Sequence, residues 1–394
     1  MRVLITGVDG YLGWTLAVHL AARGHEVAGI DDYSRRRWVG EMGSQSAIPI
    51  APMAERLHAY RERLGQNLRF YKGDLTDSAF VLDAYRSFRP EAIVYLGEMP
   101  SAPYSMRDVQ TAVYTQTNNV MGTLVSLFAM RDAVPDCHLI KLGTMGEYGT
   151  PGLDIPEGWF DLEFRGRTER ALFPRRAGSW YHQSKVHGSH NVEMACRIWG
   201  LRSTDIMQGV VYGTNIPEFD GQPALATRFD FDQAFGTAIN RFCAQSVIGL
   251  PLTPYGKGFQ KRGFLPLRDS MQCLTLSIEN PAEAGEYRVF NQFEEVYSVM
   301  ELAERVQRIG QEFDLDVKIH PVENPRTELE EHHYAPDHQH LLDLGYQPTH
   351  DMDAELRLVF RDLLPHRDRI EERKEAHFPD IRWDGTRRRS ETLG

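Results

Sequence analysis

The stretch that decides the fold is Arg2-Val-Leu-Ile-Thr6, which runs directly into Gly7-Val-Asp-Gly10-Tyr-Leu-Gly13. The first five residues form a short, mainly apolar run that suits a strand buried on both faces of a parallel sheet. Residues 12–23 then carry apolar side chains at helical spacing, and residues 26–30 predict a second strand that ends in two aspartates. The order strand, glycine turn, helix, strand, acid predicts a dinucleotide-binding unit.

Each part of this unit has a physical task. Glycines let the backbone approach a pyrophosphate, and the helix N-terminus offers free N–H groups to it. A carboxylate about 20 residues further on can hold the adenosine ribose. That carboxylate would repel a 2′-phosphate, which favours NAD over NADP, although the arginines at 35–37 weaken this distinction. The alternative is a purely structural turn. The candidate cofactor residues here are Gly7, Gly10, Tyr11, Leu12, Gly13, Asp31, Asp32 and Arg36.

Composition narrows the class of protein. The 394 residues are 42% hydrophobic and 25% charged, as in ordinary globular chains, and suffice for one large domain or two smaller ones. A net charge of −11 disfavours nucleic acid as a partner. The four separated cysteines indicate neither a disulfide scaffold nor a zinc site. No apolar run approaches the roughly 18 residues of a membrane span. We therefore expect a cytoplasmic protein without a signal peptide or membrane segment.

Further buried strands alternate with helical patterns along the chain. Strands are predicted at 68–71, 92–96 and 138–142, and the long segment 33–67 is expected to carry its own helix. This alternation predicts an α/β protein with a Rossmann-type doubly wound parallel sheet and a smaller C-terminal α+β substrate-binding region. We place the first at 1–210 and the second mainly at 211–394, with some segments returning to the first. Strand-like 287–290 and helical 298–311 are assigned to the second region.

A candidate catalytic group follows this unit in the chain. Tyr181-His-Gln-Ser-Lys185 opens an apparent helix, where residues four apart share one face. A tyrosine titrates near pH 10, and a lysine ammonium beside it favours the phenolate, so we expect Lys185 to lower the pKa of Tyr181. Thr144 follows the predicted fifth strand and can hydrogen-bond a reacting oxygen. The alternative is a surface tyrosine with a solvated lysine, because Y-x-x-x-K is frequent by chance.

The glycine spacing and the threonine, tyrosine and lysine together resemble the extended short-chain dehydrogenase/reductase superfamily, also called the NAD-dependent epimerases and dehydratases. Its members mostly modify nucleotide sugars, which implies a nucleotide-diphosphate sugar as substrate and NAD as cofactor. Tyr181 would then take a hydroxyl proton, expected at O4, while NAD accepts the C4 hydride. The resemblance further implies cofactor contacts from Asp74, Leu75 and Asn119, and a homodimer built on paired helices.

Several longer strings resemble the UDP-sulfoquinovose synthase family more specifically. They are Ser101-Ala-Pro-Tyr-Ser-Met106, Lys141-Leu-Gly-Thr-Met-Gly-Glu-Tyr-Gly-Thr-Pro151, Tyr181-His-x-Ser-Lys-Val-His187, Gln208-Gly-Val-Val-Tyr-Gly213, Phe235-Gly-Thr-Ala-x-Asn-Arg-Phe242, Phe290-Asn-Gln-Phe293 and Asn324-Pro-Arg326. The resemblance implies UDP-glucose as substrate, oxidation at C4, loss of the 6-hydroxyl, addition of sulfite at C6 and final reduction by NADH. Ordinary sugar-nucleotide 4,6-dehydratases carry T-D-E where Met145 and Gly146 follow the threonine here, which argues against that activity.

The same resemblance assigns site residues. Thr144, Tyr181 and Lys185 would form the catalytic triad, while Glu147 and His182 would move the C5 proton and the leaving hydroxyl. Glu147 could instead be a structural carboxylate, and His182 could be packing support. The candidate substrate residues are Thr144, Gln208, Asn240, Arg241, Gln260, Arg262 and Arg326, with Arg262 and Arg326 expected on the phosphates.

One departure keeps the reaction open. The family reads G-E-Q-R where this chain has Met99 and Pro100 in the last two places, and neither side chain can bind an anion as arginine does. This weakens the case for sulfite as a co-substrate. The alternative is a nucleotide-sugar 4-epimerase that uses no sulfite and serves specialised metabolism. A non-catalytic NAD-binding sensor is a third interpretation, against which the complete triad argues. His332 and His333 lack a partner cluster, so no metal site is expected.

Overall fold

The computed structural model describes residues 1–329 and 331–384; the charged end with Arg387, Arg388 and Arg389, predicted as a solvated tail, lies outside them. The strands are β1 (Arg2–Thr6), β2 (Glu26–Asp31), β3 (Arg69–Lys72), β4 (Ala92–Tyr95), β5 (His138–Thr144), β6 (Trp159–Phe164), β7 (Arg167–Leu172), β8 (Arg202–Gln208), β9 (Val210–Tyr212), β10 (Lys261–Pro266), β11 (Tyr287–Gln292) and β12 (Glu295–Ser298). The α-helices are α1 (Tyr11–Ala22), α2 (Ser34–Glu41), α3 (Met53–Leu64), α4 (Ser78–Phe88), α5 (Ala102–Ser105), α6 (Val109–Gln116), α7 (Gly122–Ala133), α8 (Trp180–Trp199), α9 (Ala238–Ile248), α10 (Leu267–Glu279), α11 (Val299–Gln311), α12 (Gln339–Asp343), α13 (Met352–Leu363) and α14 (Arg367–Glu371).

The main sheet has seven parallel strands in the order β11-β8-β5-β4-β1-β2-β3, which confirms the predicted doubly wound fold. Val3, Leu4 and Ile5 have no exposed surface, as their apolar run predicts. The strand order reverses between β1 and β4, because β2 and β3 lie on one side of β1 and the later strands lie on the other. Such sheets bind ligands at this point, outside the carboxyl ends of the strands. At that point the Thr6 hydroxyl accepts the N–H groups of Leu96 and Gly97, each at 3.0 Å.

The elements differ from their predicted bounds by one or two residues at most ends. The segment 33–67 carries two helices, α2 and α3, where the length of the connection predicted one. The predicted helix at 298–311 is α11, and Ser298 is its N-cap. None of the helices in the described residues is both long and apolar enough to cross a membrane.

The C-terminal part contributes to two sheets. A three-stranded sheet has the order β12-β10-β9, and α9, α11 and α13 pack beside it around an apolar core that includes Phe242, Val306 and Phe360. The strand assigned by sequence to the second region, β11, instead pairs in parallel with β8 in the main sheet. Val289 and Phe290 are buried there, so packing against the main sheet decides its place.

The insert between β5 and α8 contains a separate hairpin. Strands β6 and β7 pair antiparallel and turn at Arg165 and Gly166, which have φ of 53° and 74°. Two successive positive φ values are typical of a tight hairpin turn whose twist matches that of the strands. The residues that follow, Phe173 and Pro174, reach the cavity described next.

Candidate active site

A cavity of about 960 Å³ lies at the carboxyl ends of the main-sheet strands and brings together most of the predicted site residues. The cofactor candidates that line it are Gly7, Gly10, Tyr11, Leu12, Gly13, Asp31, Asp32, Asp74 and Leu75. The other candidates that line it are Thr144, Tyr181, His182, Lys185, Gln208, Asn240, Arg241, Gln260, Arg262 and Arg326. Three predicted residues, Arg36, Asn119 and Glu147, do not line it.

The glycine loop is shaped for close approach to a ligand. Gly7 has φ of +71°, and a Cβ there would lie 2.8 Å from the Leu96 carbonyl oxygen. A Cβ on Gly13 would lie 2.2 Å from the Gly7 carbonyl oxygen, so α1 can pack this closely on the loop only when residue 13 has no side chain. Gly10 is the N-cap of α1, and no side chain caps this end. The free N–H groups fit a pyrophosphate such as that of NAD.

Asp31 lies where an adenosine ribose is expected, at the end of β2. Its carboxylate accepts the N–H groups of Asp9 at 2.9 Å and Tyr33 at 2.6 Å. Burial and the nearby Asp9 carboxylate raise the pKa of Asp31 to about 7. Asp9 is in turn bound by Arg36 at 2.6 Å and by the buried Arg56 at 2.8 Å. Arg36, predicted to contact the cofactor, therefore supports the loop through Asp9.

Tyr181 and Lys185 both lie in the first turns of α8, but the Lys185 ammonium group hydrogen-bonds other residues and not Tyr181. Its ammonium group donates to the Glu98 carboxylate and, at 2.6 Å, to the Leu142 carbonyl oxygen. Burial and the negative charge of Glu98 raise the pKa of Tyr181, the opposite of the direction predicted from Lys185. Glu98 was not predicted as a site residue. A carboxylate two residues after an otherwise apolar strand is the signal that could have identified it.

Thr144 and Glu147 are joined in one turn at the end of β5. The Thr144 hydroxyl accepts the Gly146 N–H at 3.2 Å, and the Thr144 N–H donates to Glu147 Oε1 at 3.2 Å. The Glu147 side chain is fully buried, and its Oε2 accepts from Arg175 at 2.7 Å and Ser189 at 3.1 Å. Glu147 therefore lies behind the cavity wall, where it orients Thr144 and has no direct path to a substrate.

His182 faces the cavity from α8. Its Nδ1 lies 3.0 Å from the Ser179 hydroxyl, which also accepts the His182 N–H at 3.2 Å. A Cβ on residue 146 would lie 2.4 Å from His182 Nε2, so the imidazole occupies space that only Gly146 leaves open. Burial and the charges of Arg326 and Arg262 lower the pKa of His182 to about 3. The ring is therefore neutral at physiological pH, and its Nε2 accepts or donates a hydrogen bond according to which ring nitrogen carries the proton.

The far end of the cavity carries arginines with different partners. Arg262 binds Glu328 at 2.8 Å, while Arg241 donates to the Tyr255 hydroxyl and, at 3.0 Å, to the Thr253 carbonyl oxygen. The buried Nε of Arg326 has no acceptor among the described residues. A ligand phosphate would supply one, since a buried guanidinium donor left unpaired is costly.

Amide side chains also line the cavity. Gln208 and Gln260 each have a buried Oε1 without a hydrogen-bond partner in the described part of the chain, and Asn240 donates to the Asp230 carbonyl oxygen at 3.2 Å. The two unpaired acceptors suit sugar or base donors. Within the same residues, no group of three or more His, Cys, Asp or Glu side chains could hold a metal ion.

Asn119 has a structural place next to the site. It lies in a π-helical turn, Thr117–Met121, between α6 and α7. Its amide accepts the Met99 N–H at 2.7 Å and donates to the Met99 carbonyl oxygen at 3.1 Å and to Ser184 at 2.9 Å. It therefore ties the loop after β4 to α8. Met99 itself is fully buried, whereas Pro100 lines the cavity.

Comparisons with known proteins agree with this geometry. The NAD dependent epimerase/dehydratase family matches residues 3–291. The chain is 47% identical to UDP-sulfoquinovose synthase of Sulfolobus acidocaldarius over 97% of this chain and 98% of that protein. It is 45% identical to the chloroplastic UDP-sulfoquinovose synthase of Spinacia oleracea over 97% of this chain and 79% of that protein.

Solved structures share the fold at lower identity. UDP-glucose 4-epimerase from Thermotoga maritima, with UDP-glucose, superposes with a TM-score of 0.69 at 19% identity and covers 92% of this chain and 98% of that chain. UDP-glucuronic acid 4-epimerase from Bacillus cereus, in complex with UDP-glucuronic acid and NAD, gives 0.68 at 19% and covers 94% and 99%. The chain therefore belongs to the NAD dependent epimerase/dehydratase family and, within it, is a relative of the UDP-sulfoquinovose synthases.

Proposed function

We propose that this protein is a UDP-sulfoquinovose synthase, which converts UDP-glucose and sulfite into UDP-sulfoquinovose and water. The observation that carries the proposal is the 47% identity with the Sulfolobus acidocaldarius enzyme along nearly the whole of both chains. The site supports it, because Thr144, Tyr181, Lys185 and His182 line one cavity with the glycine loop. Most of the family strings noted in the sequence fall on this cavity.

The glycine loop and Asp31 would hold NAD, which would supply hydride transfer from and to C4 of the sugar. Tyr181 takes the O4 proton as the C4–O bond becomes a carbonyl, and Thr144 hydrogen-bonds that oxygen. Lys185 and Glu98 form a buried pair beside Tyr181, so the phenol is protonated in the resting protein and must lose its proton to act.

The 4-keto group acidifies the C5 proton, and the 6-hydroxyl then leaves as water. We assign His182 to this proton transfer, because it presents a neutral Nε2 to the cavity whereas Glu147 is enclosed by Arg175 and Ser189. Sulfite adds at C6 with its sulfur lone pair, and a proton returns to C5. The net change replaces the 6-hydroxyl with a sulfonate and leaves the oxidation state of C4 unchanged.

Incubation with UDP-glucose and catalytic NAD, with and without sulfite, tests this proposal. We expect a sulfonated nucleotide sugar by mass spectrometry and NMR only when sulfite is present. The predicted alternative, a 4-epimerase, would give UDP-galactose without sulfite. UDP-glucose 4-epimerase of Mycolicibacterium smegmatis is 32% identical over 54% of this chain, against 45–47% over 97% for the two synthases, so similarity along the whole chain favours the synthase. A product that is an epimer and contains no sulfur would overturn the proposal.

We also propose a homodimer built on α7 and α8. Phe128, Met194 and Ile198 are 46%, 42% and 62% exposed on these two helices. Phe128 packs edge-on against Trp199 at 4.9 Å, so the apolar side chains of the two helices form one continuous surface. Exposed apolar surface of this kind is typical of contacts between subunits. The cytoplasmic location, the boundary between the two regions near residue 210 and the roles of the individual site residues stay predictions.

A further inference from the structure

Two arginines that are distant in sequence share one carboxylate in the cavity wall. Arg35, on α2, donates to Asp230 at 2.6 Å from Nη2 and 3.0 Å from Nε. Arg228 donates to the same carboxylate at 2.9 Å from Nε and 3.0 Å from Nη2. All three residues line the cavity. Asp230 is thus enclosed between two guanidinium groups and fixes the orientation of both.

These two cations are not fully satisfied by protein groups. The Nη1 atoms of Arg35 and Arg228 are buried and have no hydrogen-bond acceptor in the described residues. Two positive charges face one negative charge in this trio. The neighbouring Asp232 accepts the N–H groups of Ala234 at 2.9 Å and Phe235 at 2.8 Å with Oδ1. Its Oδ2 is buried without a hydrogen-bond partner in the described residues, so Asp232 acts on Arg35 through its charge and not through a hydrogen bond. Because a buried donor without an acceptor is destabilising, an external acceptor bound here would be favoured.

The pair is held rigidly and stays accessible from the cavity. The Arg35 guanidinium lies 4.3 Å from the centre of the Phe235 ring, which packs against Trp38 and Tyr104. Its side chain is 16% exposed, whereas that of Arg228 is 2% exposed. Arg35 can therefore meet a ligand directly, and Arg228 supplies buried charge behind it.

The pair lies toward the reacting end of the cavity. Phe235, under Arg35, belongs to an apolar cluster that also contains Met99 and contacts Tyr181. The Arg35 charge is among those that lower the pKa of Tyr181, against the larger opposing effect of burial. Pro100 lines the same cavity and has no hydrogen-bond donor. The UDP-sulfoquinovose synthase family has an arginine at this position.

We propose that Arg35 and Arg228, held by Asp230, bind one oxyanion at the boundary between the glycine loop and the sugar site. The ligand is a small oxyanion with at least two oxygens, which can accept two parallel hydrogen bonds from one guanidinium. Two sources share this chemistry: free sulfite, or a phosphate of the bound dinucleotide. The first source rests on the proposed function, whereas the second requires only a dinucleotide.

Arg35→Gln and Arg35→Lys test the subsite, because Arg35 is the partly exposed member and its change leaves the Arg228–Asp230 pair intact. NAD affinity is measured by titration calorimetry, and sulfite affinity as the KM for sulfite at saturating UDP-glucose. We expect one of the two to weaken about 10–100-fold in Arg35→Gln, since a charge-assisted hydrogen bond is lost. Arg35→Lys should recover part of the loss, because lysine restores the positive charge but not the two parallel N–H donors of a guanidinium.

The pattern of loss identifies the source of the oxyanion. A raised KM for sulfite with unchanged NAD affinity assigns sulfite, and the converse assigns the dinucleotide phosphate. Arg37→Gln is the matched control, since Arg37 lies on the same helix, is 55% exposed and does not line the cavity. If Arg35→Gln matches Arg37→Gln within twofold for both ligands while remaining folded, the subsite is wrong. NAD titration needs no turnover, so a protein that makes no sulfonated product would refute the proposed function without refuting a phosphate subsite.

Discussion

The ammonium group of Lys185 binds the carboxylate of Glu98 in the wall of the cavity. It lies 5.8 Å from the centre of the Tyr181 ring, four residues earlier on the same helix. Lys185, which the sequence predicts to lower the pKa of Tyr181, is therefore paired with Glu98, whose negative charge raises that pKa. Glu98 Oε1 has no partner in the described part of the chain, so this carboxylate also has capacity for a ligand hydroxyl.

Glu98→Gln should shift the pH dependence of sugar oxidation to lower pH. Burial and Glu98 raise the pKa of Tyr181, so removal of the Glu98 charge lowers it and more phenolate exists at any given pH. Because the phenolate is the base, the rise of rate with pH should occur earlier. Single-turnover NADH formation from UDP-glucose, followed by absorbance between pH 6 and 10, measures this. Glu91→Gln, at the other end of β4 and exposed, is the control. Superimposable profiles for Glu98→Gln and wild type would contradict it.

The parts of this site that the sequence could predict are those fixed by local geometry. Gly7, Gly13 and Asp31 follow from one strand–turn–helix–strand unit, and Tyr181 and Lys185 from the pitch of one helix. The pairs that the sequence could not predict are made between distant segments. Residues 98 and 185 are 87 apart, and 35 and 230 are 195 apart. Their contact depends on how the sheet and the loop before α9 pack, which no spacing shows.

Glu147 shows the same limit in another form. Its position after Thr144 is correctly read from the sequence, yet the direction of its side chain is not. The turn at the end of β5 points it inward, where Arg175 from the hairpin insert and Ser189 from α8 enclose it. A chemically suitable residue next to a catalytic one is therefore insufficient evidence of a catalytic role.

NAD affinity should fall as the pH is lowered through neutrality. The pKa of Asp31 is raised to about 7, so its carboxylate becomes protonated below that pH and no longer accepts both ribose hydroxyls as an anion. For one linked proton, the Kd for NAD should rise by at most about tenfold per pH unit below pH 7 and level off above it. Titration calorimetry at pH 5.5 to 8.5 measures this. In Asp31→Asn the Kd should be higher and independent of pH over this range; a dependence equal to that of wild type would refute the assignment.

His182→Gln should separate C4 oxidation from the steps at C5. His182 presents a neutral imidazole to the cavity, whereas Tyr181 serves O4, so NADH formation should persist in the variant. Exchange of the C5 proton with solvent deuterium, read by NMR, should fall about 10²-fold, the low end of the usual contribution of a general base, because the lowered pKa of His182 makes the imidazole a weak base. Because the pKa of His182 is lowered to about 3, wild-type exchange should not lose this base between pH 8 and 5.

His187→Gln, exposed on the same helix, is the control. Undiminished exchange in His182→Gln would exclude the role.

Glu147→Gln should lower stability substantially. The change removes one of the two buried carboxylates that balance Arg175 and Lys141, and leaves Asp205, at 4.0 Å and 3.5 Å, for both cations. Removal of one partner of a buried ion pair costs about 3–5 kcal/mol in the free energy of unfolding, measured by urea titration. Glu312→Gln breaks an exposed pair with Arg357 and should cost about 1 kcal/mol or less. A stable Glu147→Gln protein that has lost only C5 exchange would instead return Glu147 to the catalytic group.

Ile198→Glu should convert a homodimer into a monomer. Ile198 is 62% exposed on α8, beside the apolar surface that Phe128 and Trp199 form. A carboxylate placed at the centre of an apolar contact must lose its hydration without gaining a partner, which opposes association. Light scattering after size-exclusion chromatography measures the mass of both forms. Val296→Glu, on β12 and 37% exposed, adds the same charge away from these helices and should leave the mass unchanged. A wild-type protein with the mass of one chain, or an Ile198→Glu protein that stays dimeric, would place any subunit contact elsewhere. Tyr181 and Lys185 lie near the start of α8, and Ile198 lies near its end. Loss of the dimer should therefore also lower turnover, because α8 would move more freely.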